Sequence, residues 1–193
     1  TLSTKPGQGT TLEDLVALNS SEPLPPPAHH GRMTILTSGT TGTPKGAKRA
    51  PRRTSLDTFV GMLGRMPLRV GEKSFIVAPA FHSWGGAHLT LAALLSNTVI
   101  MRNRFDPVDT LRTISEHKPQ VLAVVPVMMQ RICALPEDVI RGYDCRSLRV
   151  VGASGSALPG ELAIRWMDTF GDNVYNFYGS TEVAQASIAM PDE

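Results

Sequence analysis

The run Thr37-Ser38-Gly39-Thr40-Thr41-Gly42-Thr43-Pro44-Lys45-Gly46 packs glycines, hydroxyl side chains and one lysine into a single loop. Glycine lets a backbone turn sharply and come close to a ligand. Hydroxyls and free N–H groups donate to phosphate oxygens, and a lysine adds positive charge. The composition reads as a grip for a polyphosphate. It departs from the common nucleotide loop, in which Gly-Lys is followed by a Ser or Thr whose hydroxyl reaches magnesium. Here Lys45 stands between Pro44 and Gly46. The plain alternative is a Gly/Ser/Thr/Pro turn with no ligand at all.

Three further segments carry groups capable of chemistry. Phe81-His82-Ser83-Trp84-Gly85 sets a histidine among aromatics. Gly152-Ala153-Ser154-Gly155-Ser156-Ala157 is a run of small residues ahead of Pro159. It allows a close backbone approach, and it also suits the loop before a helix. Tyr178-Gly179-Ser180-Thr181-Glu182 brings together a ring, two hydroxyls and a carboxylate. Taken alone it could equally be a turn after a strand, with Gly179 for tightness.

The elements that must position these segments alternate along the chain. Apolar strands are expected at Met33–Leu36, Phe75–Ala78, Thr98–Met101, Val121–Val125, Leu148–Val151 and Asn173–Phe177. Helices are expected at Arg52–Met66, Gly86–Leu95, Pro107–His117 and Val127–Leu135, and after Pro159, where Leu162, Trp166 and Phe170 recur every four residues. Pro107 suits a first helical turn. Met128 and Met129 suit core filling better than cofactor binding. Short apolar strands alternating with helices imply an α/β fold: a mostly parallel sheet flanked by helices. Such sheets bind ligands beyond the carboxyl ends of their strands. Each of the four segments follows an expected strand, so all four are expected at one edge of one sheet.

In this order the four segments resemble the adenylate-forming (AMP-binding) enzymes, a family that includes acyl-CoA synthetases, luciferases and the adenylation domains of peptide synthetases. The resemblance spans about Thr34 to Met190 and implies a subdomain of that family's large N-terminal domain. The implied chemistry is attack of a carboxylate on the α-phosphorus of ATP with loss of pyrophosphate. A thiol, coenzyme A in the synthetases, then attacks the acyl carbonyl and expels AMP. By this resemblance Thr37, Ser38, Gly39, Thr40, Thr41, Gly42 and Lys45 hold the β- and γ-phosphates. Gly152, Ala153 and Ser154 lie along the adenine and the acyl channel. Asn176, Phe177, Tyr178, Gly179, Ser180 and Thr181 complete the nucleotide site, with Tyr178 stacked on adenine and Thr181 donating to the α-phosphate. Glu182 takes Mg2+ through carboxylate oxygens, as a hard cation requires. His82 faces the acid. It is not read as a general base, because a carboxylate is already deprotonated near neutral pH. Trp84 either gates the acyl tunnel or packs in the core. General similarity around Phe81–Leu95 and Ser180–Met190 points to a fatty acid, with acyl-AMP ligases and carrier-loading domains as relatives of the same chemistry.

Bulk properties bound the alternatives. The chain has 193 residues and a formal net charge of +2, with scattered basic residues, so no nucleic-acid surface is expected. No apolar run reaches the roughly 18 residues of a membrane span, and a cytoplasmic protein, with surface attachment to a membrane left open, is expected. Cys133 and Cys145 form no C-x-x-C pair and read as reduced and structural. Residues 1–31 read as a linker, from the prolines at 23 and 25–27, with Leu12–Leu18 as one short helix. His29 and His30 lack companion ligands for a metal. Residues 32–193 are expected to belong to the AMP-binding domain. The family's later ribose aspartate and C-terminal catalytic lysine do not occur, so an internal piece of a larger enzyme, inactive alone, is expected. Two other readings stay open: a phosphotransferase or NTPase, and a non-catalytic nucleotide-binding module.

Overall fold

The computed structural model describes residues 11–20, 22, 23, 25, 26, 28, 35–37, 45–47, 54–179 and 186–193. It divides into two units, Thr1–Met33 and Thr34–Glu193. In the first, helix α1 (Leu12–Leu18) starts with a reciprocal cap. Thr11 Oγ1 accepts from the Asp14 N–H at 3.1 Å, and Asp14 Oδ2 accepts from the Thr11 N–H at 2.9 Å. That arrangement satisfies two N–H groups that a helix start otherwise leaves unpaired.

The second unit holds two sheets. Strands β1 (Ile35–Thr37) and β2 (Lys45–Ala47) pair with each other, antiparallel. The larger sheet has six strands in the order β4-β3-β5-β6-β7-β8. They are β3 (Lys73–Ile76), β4 (Thr98–Met101), β5 (Val121–Val124), β6 (Val150–Ala153), β7 (Val174–Tyr178) and β8 (Ser187–Ala189). The first five run parallel, and β8 closes one edge antiparallel to β7. The mostly parallel α/β sheet expected from the sequence is therefore present. The expectation that all four segments share one sheet is corrected. The strand that ends at Thr37 pairs antiparallel with the strand that starts at Lys45, in a sheet separate from the other three segments.

Helices cover both faces of the larger sheet. On one side lie α4 (Pro107–His117), α5 (Pro126–Cys133) and α7 (Gly160–Phe170). Their Leu111, Ile114, Met129, Ile132 and Trp166 form a core with Leu122, Val124, Val151 and Ala153. On the other lie α2 (Thr54–Arg65) and α3 (Ser83–Leu94), whose Met62, Trp84 and Leu91 pack with Val121, Val150 and Ile188. Successive side chains of a strand point to opposite faces. Val150 joins the α2–α3 core and Val151 the other, and that alternation places Gly152 on the α3 side. A short helix, α6 (Glu137–Arg141), links α5 to β6.

Local chemistry explains the boundaries. Asp106 caps α4 by accepting from the Asp109 N–H at 2.8 Å, and Pro107 occupies the first turn. In the first of these cores Asn173 bridges elements. Its Nδ2 donates to the carbonyls of Leu148 and Phe170, and its Oδ1 accepts from the Trp166 indole at 3.3 Å. Cys133 and Cys145 are both buried free thiols. Burial pushes both up, Cys145 to about 11, so neither is a thiolate near neutral pH. Arg102 is exposed, donates to Thr113 Oγ1 and lies 3.4 Å from Asp109.

Candidate functional site

The carboxyl ends of β6 and β7 carry two of the four segments side by side. Gly152 is in register with Tyr175, and Ala153 with Asn176. Beyond them the chains leave the sheet through Ser154 on one strand and Tyr178-Gly179 on the other. Ser154 is buried, whereas Tyr178 is 71% exposed. Gly155 has φ +97°, a left-handed conformation that favours glycine and lets the chain turn away from the sheet edge.

The third segment reaches the same end from β3. The Val77 and Ala78 N–H groups both donate to the Ala123 carbonyl at 3.0 Å, which holds the exit from β3 against β5. The chain then turns at Phe81 and His82, and His82 is the residue that precedes the first turn of α3. Its ring lies 4.5 Å from that of Phe81, centroid to centroid, and both side chains are exposed. Glycine is required at 85. A Cβ there would lie 2.3 Å from the Pro79 carbonyl oxygen and 2.7 Å from that of Ala78, so α3 can start tight against this turn only with glycine.

Trp84 is buried in the core. Its indole N–H donates to the Val124 carbonyl at 3.0 Å. Its ring meets Phe177 at 4.9 Å and His88 at 4.4 Å. It thus joins the His82 segment to the Tyr178 segment through packed rings. The missing side chain of Gly152 leaves room on the α3 side, where a Cβ would stand 3.1 Å from Trp84 Cζ2 and 3.2 Å from His88 Nε2.

The fourth segment is described only at its flanks. Thr37 and Lys45 are direct register partners across the β1–β2 hairpin, so the backbone brings both ends of the loop together. Ser38, Gly39, Thr40, Thr41 and Gly42 lie outside the described residues, as do Ser180, Thr181 and Glu182. The structure therefore brings together Gly152, Ala153, Ser154, Asn176, Phe177 and Tyr178, with His82 on the same end of the sheet.

His88 was not among the residues singled out from the sequence. It lies on α3 with its side chain 2% exposed, and burial pushes it down to about 4, so it is neutral near pH 7. A lone histidine four residues after a tryptophan, in an otherwise apolar helix, was the available signal. A cleft of about 1010 Å³ lined by Cys133, Arg141, Cys145 and Arg165 lies at the opposite end of the strands, away from these segments.

The sequence pattern described as AMP-binding enzyme matches residues 3–193. A feruloyl-CoA synthase of an Amycolatopsis species is 32% identical over 82% of this chain and 32% of its own length. A long-chain-fatty-acid–CoA ligase of Bacillus subtilis is 27% identical over 84% of this chain and 29% of its own. The structure of the amide bond synthetase McbA from Marinactinospora thermotolerans superposes with a TM-score of 0.70 at 25% identity, covering 82% of this chain and 31% of that one. The chain thus spans about a third of the length of the relatives it matches. By the match over nearly its whole length, and by the 32% identity to the first of these relatives, this chain belongs to the AMP-binding enzyme family.

Proposed function

We propose that this chain forms the nucleotide and acid side of an acid–thiol ligase, which activates a carboxylic acid as its acyl adenylate and passes the acyl group to coenzyme A. The observation that carries the reading is the pairing of Ala153 with Asn176. It sets the small-residue segment and the Tyr178 segment next to each other at the carboxyl end of a parallel sheet, where ligands of such sheets bind. The names of the relatives support a coenzyme A ligase.

In this reading the Tyr178 ring stacks on adenine, with the backbone of Gly152–Ser154 along its edge. The loop between Thr37 and Lys45 holds the β- and γ-phosphates, and Thr181 donates to the α-phosphate. The acid carboxylate attacks the α-phosphorus from the His82 side, and pyrophosphate leaves. Two anions meet in that step, so placed donors and the Lys45 charge offset their repulsion. Glu182, with its carboxylate oxygens, is the residue proposed for Mg2+, which when bound supplies further positive charge to the phosphates. The thiolate of coenzyme A then attacks the acyl carbonyl and releases AMP.

For the acid itself we propose an aliphatic, fatty-acid substrate, supported by the Bacillus subtilis relative. The Amycolatopsis relative supports an aryl acid instead. Residues 1–31 are proposed as a linker, and a cytoplasmic setting as the place of action; among the described residues no helix is long and apolar enough to cross a membrane. The test is ATP–pyrophosphate exchange by the full-length protein across acetate, medium-chain, long-chain and aromatic acids. Exchange that depends on particular acids establishes the reaction and names the class. ATP hydrolysis without exchange would support the NTPase reading instead.

A further inference from the structure

His88 lies one helical turn beyond Trp84 on α3, and both rings face Gly152 on β6. A Cβ on Gly152 would stand 3.1 Å from Trp84 Cζ2, 3.2 Å from His88 Nε2 and 3.3 Å from His88 Cε1. The two rings meet edge to face. They also differ in how they are held. Trp84 is tied by its hydrogen bond to Val124, whereas His88 Nε2 has no partner among the described residues. An unpaired buried polar atom is costly, and an aliphatic side chain would avoid the cost. Packing against Trp84 and Gly152 therefore helps hold the imidazole in place.

Gly152 leads directly into Ala153 and Ser154. The β6 backbone at this point is confined between β5 and β7 by register and by the two rings on its α3 face. A change in ring bulk moves the strand end, because packed interiors transmit strain instead of absorbing it.

We infer that His88 is a positioning residue: with Trp84 it sets the height of Gly152, and thereby the placement of Ala153 and Ser154 against the nucleotide. This rests on the nucleotide reading of β6 proposed above. His88 touches no reacting atom in this account and acts only through the strand.

The test is AMP affinity by titration calorimetry in the full-length protein, with thermal unfolding recorded for each variant. His88→Ala is expected to weaken AMP binding about tenfold, and His88→Leu, which restores bulk, to bring it within about twofold of the unsubstituted protein. Gly152→Ala adds a methyl group against both rings and is expected to weaken binding by a similar factor. Adding His88→Ala to it makes room and should recover most of the loss. If both His88 variants bind AMP as the unsubstituted protein does, the inference is overturned, whatever Gly152→Ala does. Losses at His88 and Gly152 that simply multiply, while thermal stability recovers in the double variant, would also overturn it, since that pattern marks a purely structural contact. Absence of AMP binding by the unsubstituted protein would instead defeat the nucleotide reading itself.

Discussion

The Trp84 indole N–H donates to the Val124 carbonyl across 3.0 Å, tying the start of α3 to the end of β5 inside the core. This bond holds the Phe81–Gly85 segment to the sheet. Trp84→Phe keeps most of the packing but leaves a buried carbonyl unpaired, so a loss of about 1–3 kcal/mol is expected. Urea unfolding of the two proteins checks it. Stability unchanged within error would show that the carbonyl finds another partner.

Asn173 satisfies three buried groups at once on the opposite face. Asn173→Ala removes those bonds and strands the Trp166 indole in the core. A loss of about 2–4 kcal/mol is expected, with little change in nucleotide affinity, because Asn173 stands at the amino end of β7. Denaturant unfolding paired with AMP titration separates the two effects. A large drop in AMP affinity at unchanged stability would contradict the placement.

His88 makes stability depend on pH. Its folded-state value of about 4 lies below the ordinary 6.5, because burial disfavours the imidazolium. As pH falls below 6.5 the unfolded chain binds the proton and the folded chain does not. Stability is therefore lost between about 6.5 and about 4, and the dependence flattens below that. The contribution is on the order of 3 kcal/mol. His88→Leu should remove this component, so the unfolding midpoints of the two proteins should diverge as the solution is acidified. Parallel curves would show that His88 gains a proton acceptor when folded.

The sequence was most legible where local chemistry sets an element. Pro107 and Asp106 begin α4, and both of its ends were read correctly. Val121–Val124 stood out as an apolar run, and the stripe of Leu162, Trp166 and Phe170 marked α7. Three elements were missed, each for a physical reason. The β2 segment, Lys-Gly-Ala, has no strand preference of its own and owes its conformation to pairing with β1. Likewise β8 is three residues long and exists through its ladder with β7. Helix α6 has only five residues, too few to show a period. The site followed the same division. The motifs stood out by residue type. The contact of His88 and Trp84 with Gly152 did not, because it joins positions more than sixty residues apart on different elements.

Lys45 is the register partner of Thr37 at the base of the β1–β2 pair, and the proposed function gives it a role on phosphates held by the loop between them. Lys45→Ala in the full-length protein should slow adenylate formation by about 10²-fold while leaving the unfolding midpoint unchanged. Single-turnover acyl-AMP formation measures it. An unchanged rate would remove Lys45 from the mechanism.

Acid-dependent ATP–pyrophosphate exchange by the full-length protein decides whether the acid is activated by adenylate formation. Exchange is expected with a defined class of carboxylic acids and none without acid. Steady ATP hydrolysis with no exchange for any acid would contradict it and remove the roles given to His82 and Thr181.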